Sequence, residues 1–253
     1  MRSINPPPES YSHLIMRRIA VLTTFEESAD SAARHPNDGA KVAAGLLAWR
    51  PNWQFDTWRV SEGHWPPDAT VYDGVVITGS PASVNDDSAW IRQLEVVVRA
   101  LYAAACPVFG ICFGHQLIAN ALGGRVGRSS IGMRVGAVTT HFSQHAAWMQ
   151  PAQQTVTLYA AHEDQVVELP PGATVFSGDE VCPVAAYAIG HQVFATQFHP
   201  EFSRAFMDDL LEEMAPTMAP EALQRALEQV SRPVDAALMM RWVAQFFDQA
   251  AVG

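Results

Sequence analysis

The chain has 253 residues, with 16 Lys+Arg against 26 Asp+Glu for a formal net charge of −10, and it is 49% hydrophobic and 17% charged. No cluster of Lys and Arg is present to neutralise phosphates, which argues against a nucleic-acid partner, and no run of about 18 apolar residues is present to span a membrane. Seven Trp and 12 Phe supply ample core material, so the chain is not a disordered one.

Residues 1–15 contain Pro6-Pro7-Pro8 and no apolar stretch of the kind a secretory signal needs. They read as a disordered extension, with Met16 as a second candidate start, leaving 16–253 as a single domain. Ile19–Thr23 is a short apolar run typical of a buried parallel strand. Gly39–Trp49 is expected to be helical, with Val42, Leu46 and Trp49 on one side. Trp53–Val60 alternates, and Gly74–Thr78 is a second buried strand running into Gly79-Ser80-Pro81. Asp86-Asp87-Ser88 offers N-caps for a helix whose stripe is Ile91, Leu94, Val98, Leu101 and Ala105. Pro107–Ile111 is the next strand, and Phe113–Leu122 a helix closed by Gly123-Gly124. Alternation of this kind predicts an α/β fold, a mostly parallel sheet with helices on both faces.

After Gly124 the pattern changes. Gly132–His141, Thr155–Tyr159, Ala173–Ser177, Val184–Ile189 and Gln192–Phe198 read as strands with short connections, and Gly190-His191 as a two-residue hairpin. An antiparallel extension is therefore expected beside the parallel core. From about Ser203 the tail is helical: Phe206, Leu210 and Met214 mark one helix, Pro220–Val230 a second and Pro233–Gln249 a third. Their apolar stripes are expected to pack in the core or on the surface of a homo-oligomer.

The chemistry concentrates at Gly110-Ile111-Cys112-Phe113-Gly114, between a strand and a helix. A tight strand-to-helix turn forces its central residue into a strained conformation and leaves no room for neighbouring side chains. The sulfur then lies at a helix N-terminus, where free N–H groups favour thiolate. Cys106 and Cys182 lack such a frame and are read as inert buried thiols. With three cysteines and no CxxC, neither a disulfide framework nor a structural zinc site is expected, and a reducing cytoplasmic setting follows.

A thiolate nucleophile needs a base. His199, in Gln197-Phe198-His199-Pro200-Glu201, lies just past a strand, and on extended backbone Glu201 faces the same way two residues on. Glu201 can then hold one ring nitrogen while the other faces sulfur. An oxyanion needs N–H donors: Phe113 supplies one, and the Thr78–Pro81 loop is placed for the other. His141 and His145 are four residues apart, without the carboxylates of a metal helix, and no metal is expected there. His115 is read as structural. His162 reads equally as structural or as touching the site through its loop.

The elbow Gly110–Gln116, the Phe198–Glu201 segment, the Thr78–Val84 loop and His162-Glu163-Asp164-Gln165-Val166 together resemble the class I (triad) glutamine amidotransferase family over roughly residues 18–202. That resemblance implies a flavodoxin-like core and hydrolysis of the glutamine side-chain amide without a cofactor. It casts Cys112 as nucleophile, His199 as proton donor and Glu201 as its orienter. It makes the Ser80 N–H the first choice for the second oxyanion donor, with Gly79 second, and makes Gln116 a substrate contact. There is no P-loop and no room for a synthetase, so any ammonia would pass to a separate partner. The elbow and the Gly79-Ser80-Pro81 loop most resemble the glutaminase domain of GMP synthase and its stand-alone homologues, and the resemblance extends to γ-glutamyl peptidases, in which a larger amine leaves. A non-catalytic regulatory module on the same fold is the third reading, which the intact Cys112, His199 and Glu201 oppose.

Overall fold

The computed structural model describes residues 16–25 and 33–250; the expected extension at 1–15 lies outside them. Its centre is a nine-stranded sheet. The first strand is β1 (Arg18–Thr23), buried from its second residue onward. It lies between β2 (Gln54–Arg59) and β3 (Gly74–Ile77), and β3 is followed by β4 (Val108–Ile111) and β11 (Val193–Thr196). These five strands are parallel, and in order of appearance they run 2-1-3-4-5, the flavodoxin-like arrangement. The remaining strands β10 (Ala186–Ile189), β9 (Ala173–Gly178), β6 (Arg134–Phe142) and β7 (Thr155–His162) extend the sheet antiparallel.

Period-two alternation sorts β1 between two cores. Ile19 and Val21 face one cluster with Val42 and Leu46 of helix α1 (Asp38–Leu47) and Trp242 and Phe246 of the last helix. Ala20 and Leu22 face the other, with Ile91, Leu94 and Val98 of α2 (Ala89–Ala103) and Leu117 of α3 (Phe113–Ala121). Apolar burial of this kind, worth roughly 25 cal/mol per Å2, explains why the parallel strands read as unbroken apolar runs. In the tail, α4 (Arg204–Met214) is capped by Ser203, whose hydroxyl accepts from the Phe206 N–H. It and α5 (Pro220–Val230) bury Met207, Leu211 and Val230 against β6 and β7. The last helix, α6 (Ala236–Ala250), begins three residues later than the sequence pattern suggests. No helix among the described residues is long and apolar enough to cross a membrane.

Two local expectations are corrected, and one feature is added. Ala105 does not extend the α2 stripe: it is exposed, with φ 56°, because the chain must turn before Pro107. The hairpin loop between β10 and β11 has three residues, since Ile189 pairs with Val193. A second, two-stranded sheet pairs β5 (Arg125–Arg128) with β8 (Asp164–Glu168); these short, polar strands carry no apolar alternation to announce them.

Candidate active site

In a doubly wound sheet, ligands sit beyond the carboxyl ends of the parallel strands. The ends of β3, β4 and β11 carry Gly79-Ser80, Cys112 and His199. Between β4 and α3 only Cys112 turns the chain, at φ 49° and ψ −102°, a conformation that side-chain-bearing residues avoid. Neighbouring strands hold the turn. The Cys112 N–H donates to the Thr196 carbonyl at 2.9 Å, and the Gly114 N–H to the Thr78 carbonyl at 3.1 Å. A Cβ on Gly114 would sit 2.3 Å from the Ile77 carbonyl oxygen, and one on Gly110 2.7 Å from the Gly114 carbonyl. Backbone blocks both positions, so the two glycines flank the cysteine for steric reasons.

His199 is pinned by its N–H, which donates to the Tyr159 carbonyl at 2.8 Å. Its Nδ1 lies 2.7 Å from Glu201 Oε1, and the Glu201 side chain is fully buried. The imidazole stacks on Phe202 at 3.9 Å with the planes 8° apart. Nε2 is buried and has no hydrogen-bond partner. Gly79 lets the two side chains meet: a Cβ there would lie 2.9 Å from His199 Cε1 and 3.7 Å from Cys112 Cβ. Burial pushes the His199 pKa down, but the Glu201 carboxylate and the Cys112 sulfur outweigh it and raise the pKa to about 10. Both neighbours favour the protonated ring.

The loop after β3 is fixed by a threonine pair. Thr24, itself buried, donates its hydroxyl to the Gly79 carbonyl at 2.6 Å, and Thr78 reaches the same oxygen at 3.3 Å. A trans peptide points its N–H away from its carbonyl. With the Gly79 carbonyl turned to Thr24, the Ser80 N–H is turned away from it. The Phe113 N–H opens α3, where helical N–H groups have no acceptor within the helix.

A cavity of about 750 Å3 has Cys112, His199, Gly79 and Ser80 in its lining, and its wall includes Phe202, Phe206, Leu210 and Met214. The half-buried stripe of Phe206, Leu210 and Met214 thus lines the cavity, while Leu210 and Met214 also pack against the core that Met207 and Leu211 enter. An apolar stripe has the same periodicity whether it meets a core or a binding cavity, so spacing alone could not separate the two.

Gln116 lies behind the sulfur rather than in the cavity lining. Its Nε2 donates to the Asp164 carbonyl at 2.8 Å and to Gln197 Oε1 at 3.1 Å. His162 is buried, with Nδ1 3.1 Å from the Asp164 carbonyl oxygen, and burial lowers its pKa to about 4. His115 is buried against the Tyr187 ring at 4.8 Å, and burial lowers its pKa to about 3. His141 is on β6, and His145 Nε2 lies 2.9 Å from the Gln153 carbonyl oxygen, so the pair does not share a helix face. Burial pushes Cys106 up to about 11 and Cys182 up to about 12, which keeps both as thiols. Sequence reasoning missed Thr24 and Gln197; the one available signal was a polar Gln at the end of an otherwise apolar strand.

Residues 53–213 match the model of the class-I glutamine amidotransferase family. γ-Glutamyl peptidase 3 of Arabidopsis thaliana is 33% identical over 165 residues, 62% of this chain and 66% of that protein. A glutamine-hydrolysing GMP synthase of Caldicellulosiruptor saccharolyticus is 30% identical over 129 residues, 51% of this chain but 24% of that protein. The chain thus spans just under two thirds of the first relative and a quarter of the second. Among solved structures, a glutamine amidotransferase from Methylobacillus flagellatus superposes with a TM-score of 0.72 over 94% of this chain and 95% of that one, at 22% identity. One from Thermotoga maritima gives 0.73 over 94% and 99%, at 17% identity. These likenesses establish the fold.

Proposed function

Because this chain belongs to the class-I glutamine amidotransferase family, we propose that it hydrolyses γ-glutamyl amides through Cys112, His199 and Glu201. The observation that carries the reading is the strained Cys112 closing on the same glycine as a histidine whose far nitrogen meets a buried carboxylate.

His199 carries the proton that the leaving amine will need. Sulfur attacks the γ-carbonyl carbon, the C–S bond forms, and the carbonyl oxygen becomes an oxyanion facing the N–H groups of Phe113 and Ser80, with Gly79 N–H the second choice. Preorganised donors of this kind are worth about 10²–10³ in rate each. His199 passes its Nε2 proton to the amide nitrogen, the C–N bond breaks and the amine leaves. The now neutral His199 takes a proton from water. The resulting hydroxide attacks the γ-glutamyl thioester, the C–S bond breaks, sulfur returns beside the protonated His199, and glutamate leaves after its new γ-carboxyl group gives its proton to water. Glu201 fixes the ring tautomer throughout, and Gln116 acts as a positioning residue behind the sulfur.

The leaving group is where two readings divide. A cavity of about 750 Å3 with Phe202, Phe206, Leu210 and Met214 on its wall suits an amine larger than ammonia, in keeping with the γ-glutamyl peptidase relative. The second reading keeps the same steps with ammonia as leaving group, passed to a separate synthetase. The GMP synthase relative, 30% identical over 129 residues, is in keeping with it. Steady-state comparison of glutamine with γ-glutamyl dipeptides tests the two. Higher kcat/KM for the dipeptides is expected; turnover of glutamine alone would establish the second reading.

A further inference from the structure

The Cys112 sulfur has a neighbour that the triad does not use. Gln197 Nε2 lies 3.5 Å from Cys112 Sγ, and the Gln197 side chain is wholly buried. A side-chain amide can face a sulfur with either end, and the hydrogen-bond network decides which. Here Gln116 decides it. Both Gln116 Nε2 protons are committed, one to the Asp164 carbonyl at 2.8 Å and one to Gln197 Oε1 at 3.1 Å. If the Gln197 amide were reversed, its NH2 would meet the NH2 of Gln116, and its oxygen would meet the sulfur. Two donors would then clash at one end, and an acceptor would face a thiolate at the other. Only one orientation satisfies both contacts, and it directs an N–H at sulfur.

We propose that Gln197 is a further catalytic residue that donates to the Cys112 thiolate, and that Gln116 is the positioning residue that locks its amide in the donating orientation. The inference rests on Cys112 acting as the nucleophile. A hydrogen bond to an ion is stronger than one between neutral groups, and a low local dielectric strengthens it further. The thiolate is thereby held from the side of β11 by an amide, while His199 compensates its charge from the side of the cavity. The same contact serves the last step, when sulfur leaves the thioester and its negative charge returns. The arrangement also explains a buried glutamine at the end of an apolar strand and a second buried glutamine on the first turn of α3.

Alkylation of Cys112 by iodoacetamide tests the pair, because that reagent has no glutamyl part and does not sense substrate contacts. Gln197→Leu is expected to slow alkylation at neutral pH about tenfold and to move its pH–rate profile to higher pH. Gln116→Leu is expected to move the profile in the same direction by a smaller step, since the freed amide can rotate. The double variant should be no worse than Gln197→Leu alone, the sign of two residues acting as one unit. Should Gln197→Leu not fold, Gln116→Leu decides on its own. Folded variants with the wild-type profile would overturn the inference while leaving the triad standing, and so would a Gln116→Leu that alters only KM for γ-glutamyl substrates. A wild-type Cys112 no more reactive than Cys106 and Cys182 would sink the triad reading itself, and this inference with it.

Discussion

Within the triad, the short contact is the one between imidazole and carboxylate, 2.7 Å from His199 Nδ1 to Glu201 Oε1. The other carboxylate oxygen is buried with no partner, so the charge of Glu201 is directed at a single ring. Phe202, stacked on one imidazole face at 3.9 Å, leaves the ring little freedom to turn. Orientation thus has two sources, and removing one should cost less than removing the base. His199→Ala takes away both the proton donor and the counter-charge, and is expected to lower kcat about 10²–10⁴-fold. Glu201→Gln keeps an acceptor of the same shape and loses only the charge assistance, about 10–100-fold. Steady-state kcat on one substrate compares them, and equal losses would mean that Glu201 does more than orient.

At the scale of elements, the site depends on how neighbouring strands end. The Gly79–Ser80 peptide is held by Thr24, one residue beyond β1, through its hydroxyl at 2.6 Å from the Gly79 carbonyl oxygen. Thr24→Val keeps the shape and removes the donor, and it leaves a buried carbonyl with the weaker Thr78 contact alone. The peptide can then rotate, and the Ser80 N–H loses its direction. The expected result is a fall in kcat of about tenfold to a hundredfold with KM little changed; an unchanged kcat would show that Ser80 is not an oxyanion donor. Much of this level was legible in the sequence. The glycine frame around Cys112, the two-residue step from His199 to Glu201 and the loop after β3 are local in the chain, and local sterics dictates them. Thr24, Gln197 and the cavity face of α4 were not legible, because each owes its meaning to a residue 55 to 100 positions away. The hydroxyl of Thr24 matters only once β1 lies beside β3, which is a property of the sheet.

At the scale of the whole molecule, apolar alternation announced both faces of the parallel sheet, while the polar pairing of β5 with β8 left no trace in hydropathy. Packing on this scale also sets how the protein meets acid. His115 and His162 are buried in the body of the fold, with pKa values lowered by burial from 6.5 to about 3 and about 4. Above pH 6.5 both are neutral whether the chain is folded or unfolded, and their contribution to stability is fully present. Below it the unfolded chain binds protons that the folded chain refuses, so stability falls with pH. The loss is complete only when pH passes each folded value. His199 adds little slope there, because it is protonated in the folded state through its raised pKa and in the unfolded state once the pH is well below 6.5. Asp68 and Asp179, with pKa values lowered from 3.8, begin to matter only at lower pH. Between pH 6 and 4.5 the slope should therefore approach about 1.4 kcal/mol per pH unit for each of the two histidines. Urea unfolding across that interval measures it. His162→Gln, which keeps a polar group facing the Asp164 carbonyl but cannot titrate, should remove about half of the slope, whatever it does to stability at pH 7. A variant with the full wild-type slope would place the acid sensitivity elsewhere than in these two rings.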